Sequence, residues 1–189
     1  MTLQLNNIAD VRMGFHIRGS VREELGGNAL LLQIRDVDTE GHFDEKSLTV
    51  VDVPNLGNHS LRSGDVVFLA RGVRRYAFLF EGSLSRAVVP ASYFMVMRVK
   101  DHVVDPRYLV WAINQASFQN QIEAASTKSA VPQITKSAFI ELKIDLPDLA
   151  VQRRIADVDR LMKIEWKLMH QIQSRRTTLL NVASRVLER

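Results

Sequence analysis

The chain has 189 residues, 46% of them hydrophobic and 24% charged, which is typical of a globular protein with one sizeable core. It contains no cysteine, so a disulfide framework, a thiolate zinc site and a cysteine nucleophile are excluded. Residues 1–147 balance 16 basic against 16 acidic side chains, and the net charge of +4 comes from residues 148–189. The sequence lacks a signal-peptide pattern and a membrane-length apolar run, so we expect a cytoplasmic protein with no membrane partner.

The first hundred residues predict short strands joined by turns. Residues 5–11 form an amphipathic segment that predicts one or two helical turns. Arg18 and Arg22 follow in a loop marked by several glycines. The predicted strands are apolar or β-branched runs bounded by turn residues, at 29–35, 48–53, 66–70, 76–80, 87–89 and 93–99.

Helical periodicity begins after residue 101. Asp105 and Pro106 have the residue types preferred at an N-cap and a first helical position, and they predict a helix that continues to about Ala125. Thr135 predicts the cap of a short helical turn, and residues 142–146 alternate as a last strand. The predicted fold class is α+β, with mixed, mostly antiparallel small sheets and short helices, followed by one long coiled-coil-type helix.

The long helix is predicted to begin after Pro147, with Asp148 as its N-cap, and to continue to the last residue. It would span roughly 60 Å at 1.5 Å per residue. Its apolar positions follow a four-three spacing that is typical of a coiled coil, interrupted by Glu165 and Arg176. The predicted seam consists of Val151, Ile155, Val158, Met162, Met169, Ile172, Leu179 and Val186. Such a seam needs a partner, so we divide the chain into a domain at 1–147 and a spacer and dimerisation helix at 148–189.

Two loops have the composition of a nucleic-acid contact. The first contains Arg71, Arg74 and Arg75, whose guanidinium groups can bind phosphate oxygens or a guanine edge. The second runs from 126 to 137 and offers the hydroxyl, amide and ammonium groups of Lys128, Ser129, Gln133 and Lys136. Arg18, Arg22 and Arg35 are further candidates. The competing interpretation of the first loop is a solvated turn whose charge Asp65 and Glu81 balance.

Catalytic patterns are sparse, and the sequence predicts no catalytic residue, no metal site and no cofactor. The five histidines lack the spacing of metal ligands. Glu141 and Lys143 match half of a metal-dependent nuclease signature, with Asp101 or Asp105 as the possible upstream acid, and this alternative stays open. A further alternative is a coiled-coil interaction protein whose body binds protein and not DNA.

Several segments resemble the DNA-specificity subunit of type I restriction-modification systems. They occur in the order of that family at 5–15, 32–37, 61–68, 104–111 and 134–147, followed by Gln152-Arg153-Arg154-Ile155-Ala156. The resemblance implies a target-recognition domain at 1–147 that reads one half of a split site in double-stranded DNA. It also implies a spacer helix that docks methyltransferase and restriction subunits, which carry out methylation and cleavage.

The chain departs from this family in one respect. Members usually carry two recognition domains and two long helices that lie antiparallel, whereas this sequence has one of each. We therefore expect a homodimer through residues 148–189, which would make the recognised site an interrupted palindrome. The alternative is a truncated or orphan subunit.

Overall fold

The computed structural model describes residues 1–17, 19–38, 40–72, 75–82, 84–100 and 103–187, with side chains as far as residue 180. The architecture of these residues is α+β, as predicted, with a long helix after a body of short elements. Among the residues named above, Arg18, Arg74 and Asp101 lie outside the described residues, and so does the side chain of Val186.

The elements are short until the last helix. The strands are β1 (Thr2–Gln4), β2 (Ala9–Met13), β3 (Ala29–Leu32), β4 (Thr49–Val51), β5 (Val66–Leu69), β6 (Ala77–Leu79), β7 (Ala87–Pro90), β8 (Phe94–Val99) and β9 (Lys143–Asp145). The helices are α1 (Leu5–Ile8), α2 (Pro106–Asn114), α3 (Ala116–Ala125), α4 (Lys136–Ile140) and α5 (Leu149–Leu187). None of these helices combines the length and the apolar character needed to span a bilayer.

Three small sheets build the body. A four-stranded antiparallel sheet has the strand order β2-β8-β5-β6, and β1 pairs with β9 in a separate two-stranded sheet. A third sheet has the order β4-β3-β7, in which β3 is antiparallel to β4 and parallel to β7. Because β3 and β7 run in the same direction, the residues that follow both strands emerge at one edge of the body.

Both faces of the inner strand β5 are buried, which explains its unbroken apolar run. Val66 and Phe68 face a core built with α2, α3 and α4, whereas Val67 and Leu69 face a second core shared with the small sheet of β3. A third cluster covers the other face of the small sheet and includes Leu31.

The first helix is shorter than predicted. It ends at Ile8, and Ala9 begins β2, which pairs antiparallel with β8 from Ala9↔Val99 to Met13↔Met95. Residues 9–11 alternate buried and exposed side chains, a pattern that a short amphipathic helix and a strand share. The remote partner strand decides between them.

The helix predicted from 106 to 125 is two helices. The backbone of Gln115 is extended, with φ −73° and ψ 148°, and the residue ends α2 and precedes α3. The side chain of Asn114 bonds the amide and the carbonyl of Ala77 in β6, both at 2.8 Å. Side-chain amides of Gln115 and Gln119 donate to carbonyls of the last turn of α2, at Trp111 and Ile113. Side chains thus supply the hydrogen bonds that the break removes.

The three predicted N-caps are confirmed. Asp105 accepts a hydrogen bond from the amide of Arg107 at 2.9 Å, and Thr135 accepts one from Ala138 at 3.3 Å. Asp148 accepts from the amide of Val151 at 2.9 Å. These caps place the starts of α2, α4 and α5 where the sequence predicts them.

Candidate nucleic-acid interface

The two loops predicted to contact nucleic acid lie side by side. Arg71 and Gln133 form an antiparallel bridge, the amide of Gly72 donates to Pro132 at 2.9 Å, and the amide of Ile134 donates to Ala70 at 3.1 Å. Gly72 has a φ of 105°, a conformation that side-chain-bearing residues rarely adopt. We call residues 70–72, 75–76 and 126–136 the paired-loop surface.

Internal hydrogen bonds hold the second loop in shape. The amide of Thr127 donates to Gln133 at 2.9 Å, and the hydroxyl of Ser129 donates to Val131 at 2.8 Å. The side chains of Lys128, Gln133 and Lys136 are exposed. The loop therefore presents two ammonium groups and one amide to solvent, while the hydroxyl of Ser129 is used within the loop.

The described arginines of the first loop have different surroundings. Arg71 is exposed, and its guanidinium carbon lies 5.2 Å from the centroid of the Tyr93 ring. Arg75 is half-buried and donates to the hydroxyl of Ser126 in the second loop. The guanidinium of Arg75 therefore joins the two loops, whereas that of Arg71 faces outward over an aromatic ring.

The two remaining described arginine candidates, Arg35 and Arg22, lie on other loops. Arg35 follows β3, its side chain is 72% exposed, and its Nε lies 3.5 Å from a carboxylate oxygen of Asp36. Arg22 is exposed on a loop that bonds to β4, since the amide of Glu24 donates to Val50 at 2.9 Å. Asp36 thus neutralises part of the charge of Arg35, and Arg22 lies on a loop that is attached to β4.

A groove of about 790 Å³ lies beside the paired-loop surface, and we call it the Tyr93 groove. It forms where the residues after β3, β5 and β7 converge. Its lining consists of Ile34, Val37, Asp38, Leu69, Arg71, Gly72, Tyr76, Tyr93 and Val131. The sequence predicts that Tyr93 lies within a strand and gives no reason to expect a site there. The signal that could have indicated it is a tyrosine, with its polar hydroxyl, at the start of an otherwise apolar run.

The start of α5 is attached to the body. Gln152 is 1% exposed, accepts a hydrogen bond from the amide of Asp105 at 2.9 Å, and donates to Pro147 at 2.8 Å. Ala156 is buried, and Ile155 packs against the core that contains α2. Ile155, a predicted seam residue, therefore faces the body.

The other seam residues whose side chains the structure describes are open to solvent. Met162 and Met169 are 63% and 62% exposed. Val151, Val158, Ile172 and Leu179 are also exposed, together with Leu161, Ile164, Trp166, Leu168 and Leu180, which the four-three spacing did not include. The apolar face is thus broader than the predicted seam.

The residues of the nuclease alternative have local structural roles or lie on the surface. Asp105 caps α2 and binds Arg107, and Glu141 and Lys143 are exposed. Across the described ranges, no group of three or more His, Asp or Glu side chains is arranged to hold a metal ion.

The family described as "Type I restriction modification DNA specificity domain" matches residues 2–175. The chain belongs to this family. The resemblance inferred from the sequence motifs is confirmed. The HindI specificity subunit of Haemophilus influenzae is 25% identical to this specificity-domain chain over 135 residues, which are 69% of the chain and 29% of that subunit.

Solved structures share the fold. The S subunit from M. genitalium superposes with a TM-score of 0.60 at 14% identity, covering 86% of this chain and 38% of that one. The HsdS subunit from Thermoanaerobacter tengcongensis gives 0.62 at 20% identity, covering 86% and 37%. A third structure, described as the "structural basis underlying complex assembly and conformational transition of the type I R-M system", superposes with a TM-score of 0.67 at 19% identity. The match covers 93% of this chain and 41% of that one. This specificity-domain chain spans well under half the length of each relative.

Proposed function

We propose that this chain recognises double-stranded DNA for a type I restriction-modification system, with the paired-loop surface as its contact. The backbone pairing of the Arg71 loop with the Gln133 loop carries the proposal. Both loops carry side chains that can contact nucleic acid, and they lie together, which supports a single contact surface. Membership of a DNA-specificity family supports the same role. Exposed Lys128 and Lys136 would bind phosphates, while Arg71 and Gln133 can reach base edges.

The proposal extends to one half of a bipartite site, read by each chain of a homodimer. Most of the apolar face of α5 is exposed, and burying it against a second copy would remove it from water. If the helices lie antiparallel with Glu165 facing Arg176, then Met162 faces Leu179 and Met169 faces Ile172. This register joins opposite charges and apolar residues at once. A symmetric pair would read an interrupted palindrome.

The outward surface of α5 would also dock methyltransferase and restriction subunits. Membership of the specificity family supports this docking role, and so does the structural relative whose description names assembly of a type I R-M complex. Methylation and cleavage would then belong to those partners, and this chain would supply recognition and spacing.

Selection of bound duplexes from a random-sequence DNA pool tests the recognition function. The purified chain is used with and without its methyltransferase partner, and we expect enrichment of an interrupted palindrome. Replacing Lys128 and Lys136 by alanine should weaken the binding of all duplexes together. It should also flatten the dependence of log affinity on log salt, by about one unit of slope for each phosphate that the variant no longer binds.

Lys100→Ala is the control, because Lys100 is exposed and follows the end of β8 that is opposite to Tyr93, where its ammonium group donates to the carbonyl of Asn6. Its salt slope should equal that of the unchanged chain. Failure to enrich any sequence under either condition would refute the proposed function.

A further inference from the structure

We infer that the Tyr93 groove reads two neighbouring bases, a guanine through Arg71 and the methyl group of an adjacent thymine through Ile34 and Val131. The inference rests on the proposed DNA-recognition function. It adds to that function the bases recognised and the side chains that recognise them. Tyr93 acts as a positioning residue for Arg71.

Arg71 is held in place before any DNA arrives. Its guanidinium carbon lies 5.2 Å from the centroid of the Tyr93 ring, a cation–π distance. The Tyr93 backbone is itself tied to the end of β5, since the amide of Ala70 donates to its carbonyl at 2.9 Å. A long side chain that is already positioned loses less conformational entropy on binding. The planar guanidinium can then bond O6 and N7 of guanine together, the pairing that arginine favours in the major groove.

The charge inside the groove favours a base over a phosphate. Asp38 lines the same groove, and its carboxylate accepts hydrogen bonds from the amides of Glu40 and His42 at 2.8 and 2.9 Å. Burial acts against ionisation of this carboxyl, but the hydrogen bonds from His42 and Glu40 prevail and lower its pKa. A phosphate in the groove would meet this negative charge, whereas the edge of a base carries no net charge.

The wall of the groove is apolar and open to solvent. Ile34, Tyr93 and Val131 are 39%, 41% and 46% exposed, although they are large hydrophobic residues. The 5-methyl group of thymine is the apolar feature of the major groove that such side chains contact. Because these side chains line the groove with Arg71, the methyl group they contact belongs to a base next to the guanine.

Selection from a random duplex pool with Arg71 variants of the full chain tests the guanine contact, in the presence of the methyltransferase partner. We expect the sites selected by the unchanged chain to share a guanine at one position. The sites selected by Arg71→Ala should lose the preference for guanine at that position and keep the preferences at the others. Affinity for the original site should fall roughly ten- to hundredfold. Arg71→Lys keeps the charge but lacks the planar fork, so it should show the same relaxed preference.

The role of Tyr93 is tested at the same base position. Tyr93→Leu removes the ring and should relax the guanine preference, while Tyr93→Phe keeps the ring and should retain it. A purely structural role for Tyr93 would lower stability or total binding without changing the preference at one base.

The thymine contact is tested by replacing that thymine with uracil in the selected duplex, which removes only the methyl group. Affinity of the unchanged chain should fall about fourfold, the value of one buried methyl-sized group. The double variant Ile34→Ala, Val131→Ala should bind the two duplexes equally.

The outcomes separate this inference from the proposed function. If the unchanged chain selects a defined site and Arg71→Ala selects the same one, the groove reading is refuted and DNA recognition stands. A uniform loss across sequences with a shallower salt slope would place Arg71 on a phosphate and also refute the reading. If the unchanged chain enriches no sequence, both the groove reading and the proposed DNA-recognition function are refuted.

Discussion

Asp65 shows how one buried carboxylate organises the basic residues around it. It is 1% exposed and accepts two hydrogen bonds from Arg98, at 2.8 and 2.7 Å, and one from the amide of Arg62 at 2.9 Å. The hydrogen bonds that Arg98 donates to Asp65 raise the pKa of Arg98, whereas burial lowers the pKa of nearby Arg12. Asp65 precedes β5, whereas Arg71 follows it. Asp65 therefore offsets positive charge at the other end of the strand, and the interpretation that it balances the Arg71 loop is wrong.

Asp65→Asn should therefore destabilise the folded chain by about 2–3 kcal/mol. Removing one partner of a buried pair is costly, although solvent reaches Arg98, whose side chain is 38% exposed, and reduces the effect. The measurement is the urea unfolding midpoint at constant slope. Asp159→Asn, which breaks the Asp159–Lys163 pair on α5, is the control and should cost less than about 0.5 kcal/mol. Equal losses of stability in the two variants would contradict this account.

At the level of elements, polar contacts join α5 to the start of α2. Gln152 bonds the amide of Asp105, and Arg107 links Asp105 at 2.8 Å with Asp157 of α5 at 2.7 Å. Burial acts against ionisation of Asp105, but the hydrogen bonds from Arg107 outweigh it and lower the pKa of that carboxyl. Asp105 and its partners thus fix the angle at which α5 leaves the body.

This junction predicts a dependence of stability on pH. Folding lowers the pKa of Asp105 below its usual value of 3.8. The junction therefore stabilises the folded state at pH values above 3.8, and this stabilisation is lost as the pH falls through the lower pKa of the folded state. We expect Asp105→Asn to be less stable than the unchanged chain at pH 6, with the difference shrinking as the pH falls below about 4. Urea unfolding at several pH values measures it. A stability difference that stays constant from pH 6 to 3 would contradict the assignment.

At the level of the whole molecule, the body covers only the first part of the apolar face of α5. The body holds Gln152 and Ala156 and also contacts the seam residue Ile155, whereas Met162 lies about 120° around the axis from Ala156 at 100° per residue. Attachment of the body therefore leaves the other described seam residues accessible. The exposed Leu161 and Leu168 widen this face, so one partner helix leaves apolar surface for another subunit.

We expect the chain to sediment as a dimer at micromolar concentration, and Met162→Glu with Met169→Glu to give a monomer, because charge at both positions cannot be buried in the seam. Gln171→Glu with Ser174→Glu places the same charge on another face of α5 and should leave the dimer intact. Glu165→Arg should weaken the dimer, and adding Arg176→Glu should restore it if the helices are antiparallel. An unchanged chain that sediments as a monomer with and without DNA would exclude the dimer.

The candidate interface could be predicted in part. The side-chain chemistry of Arg71, Lys128 and Lys136 is visible in the sequence, because charge and hydrogen-bonding capacity belong to the residue itself. The inward role of Arg75 and the position of Tyr93 beneath Arg71 could not be predicted. They depend on Ser126 and on the turn before β8, which are distant in the chain.

The sequence by itself determined the features that depend on neighbouring residues. The caps at Asp105, Thr135 and Asp148, the buried strand Val66–Leu69 and the long apolar period of α5 each need only a few adjacent positions. Tertiary structure alone decided that Ala9 begins a strand, that Gln115 divides a helix, and that the Arg71 loop pairs with the Gln133 loop. These outcomes require backbone partners far along the chain, and local periodicity contains no information about which partners meet.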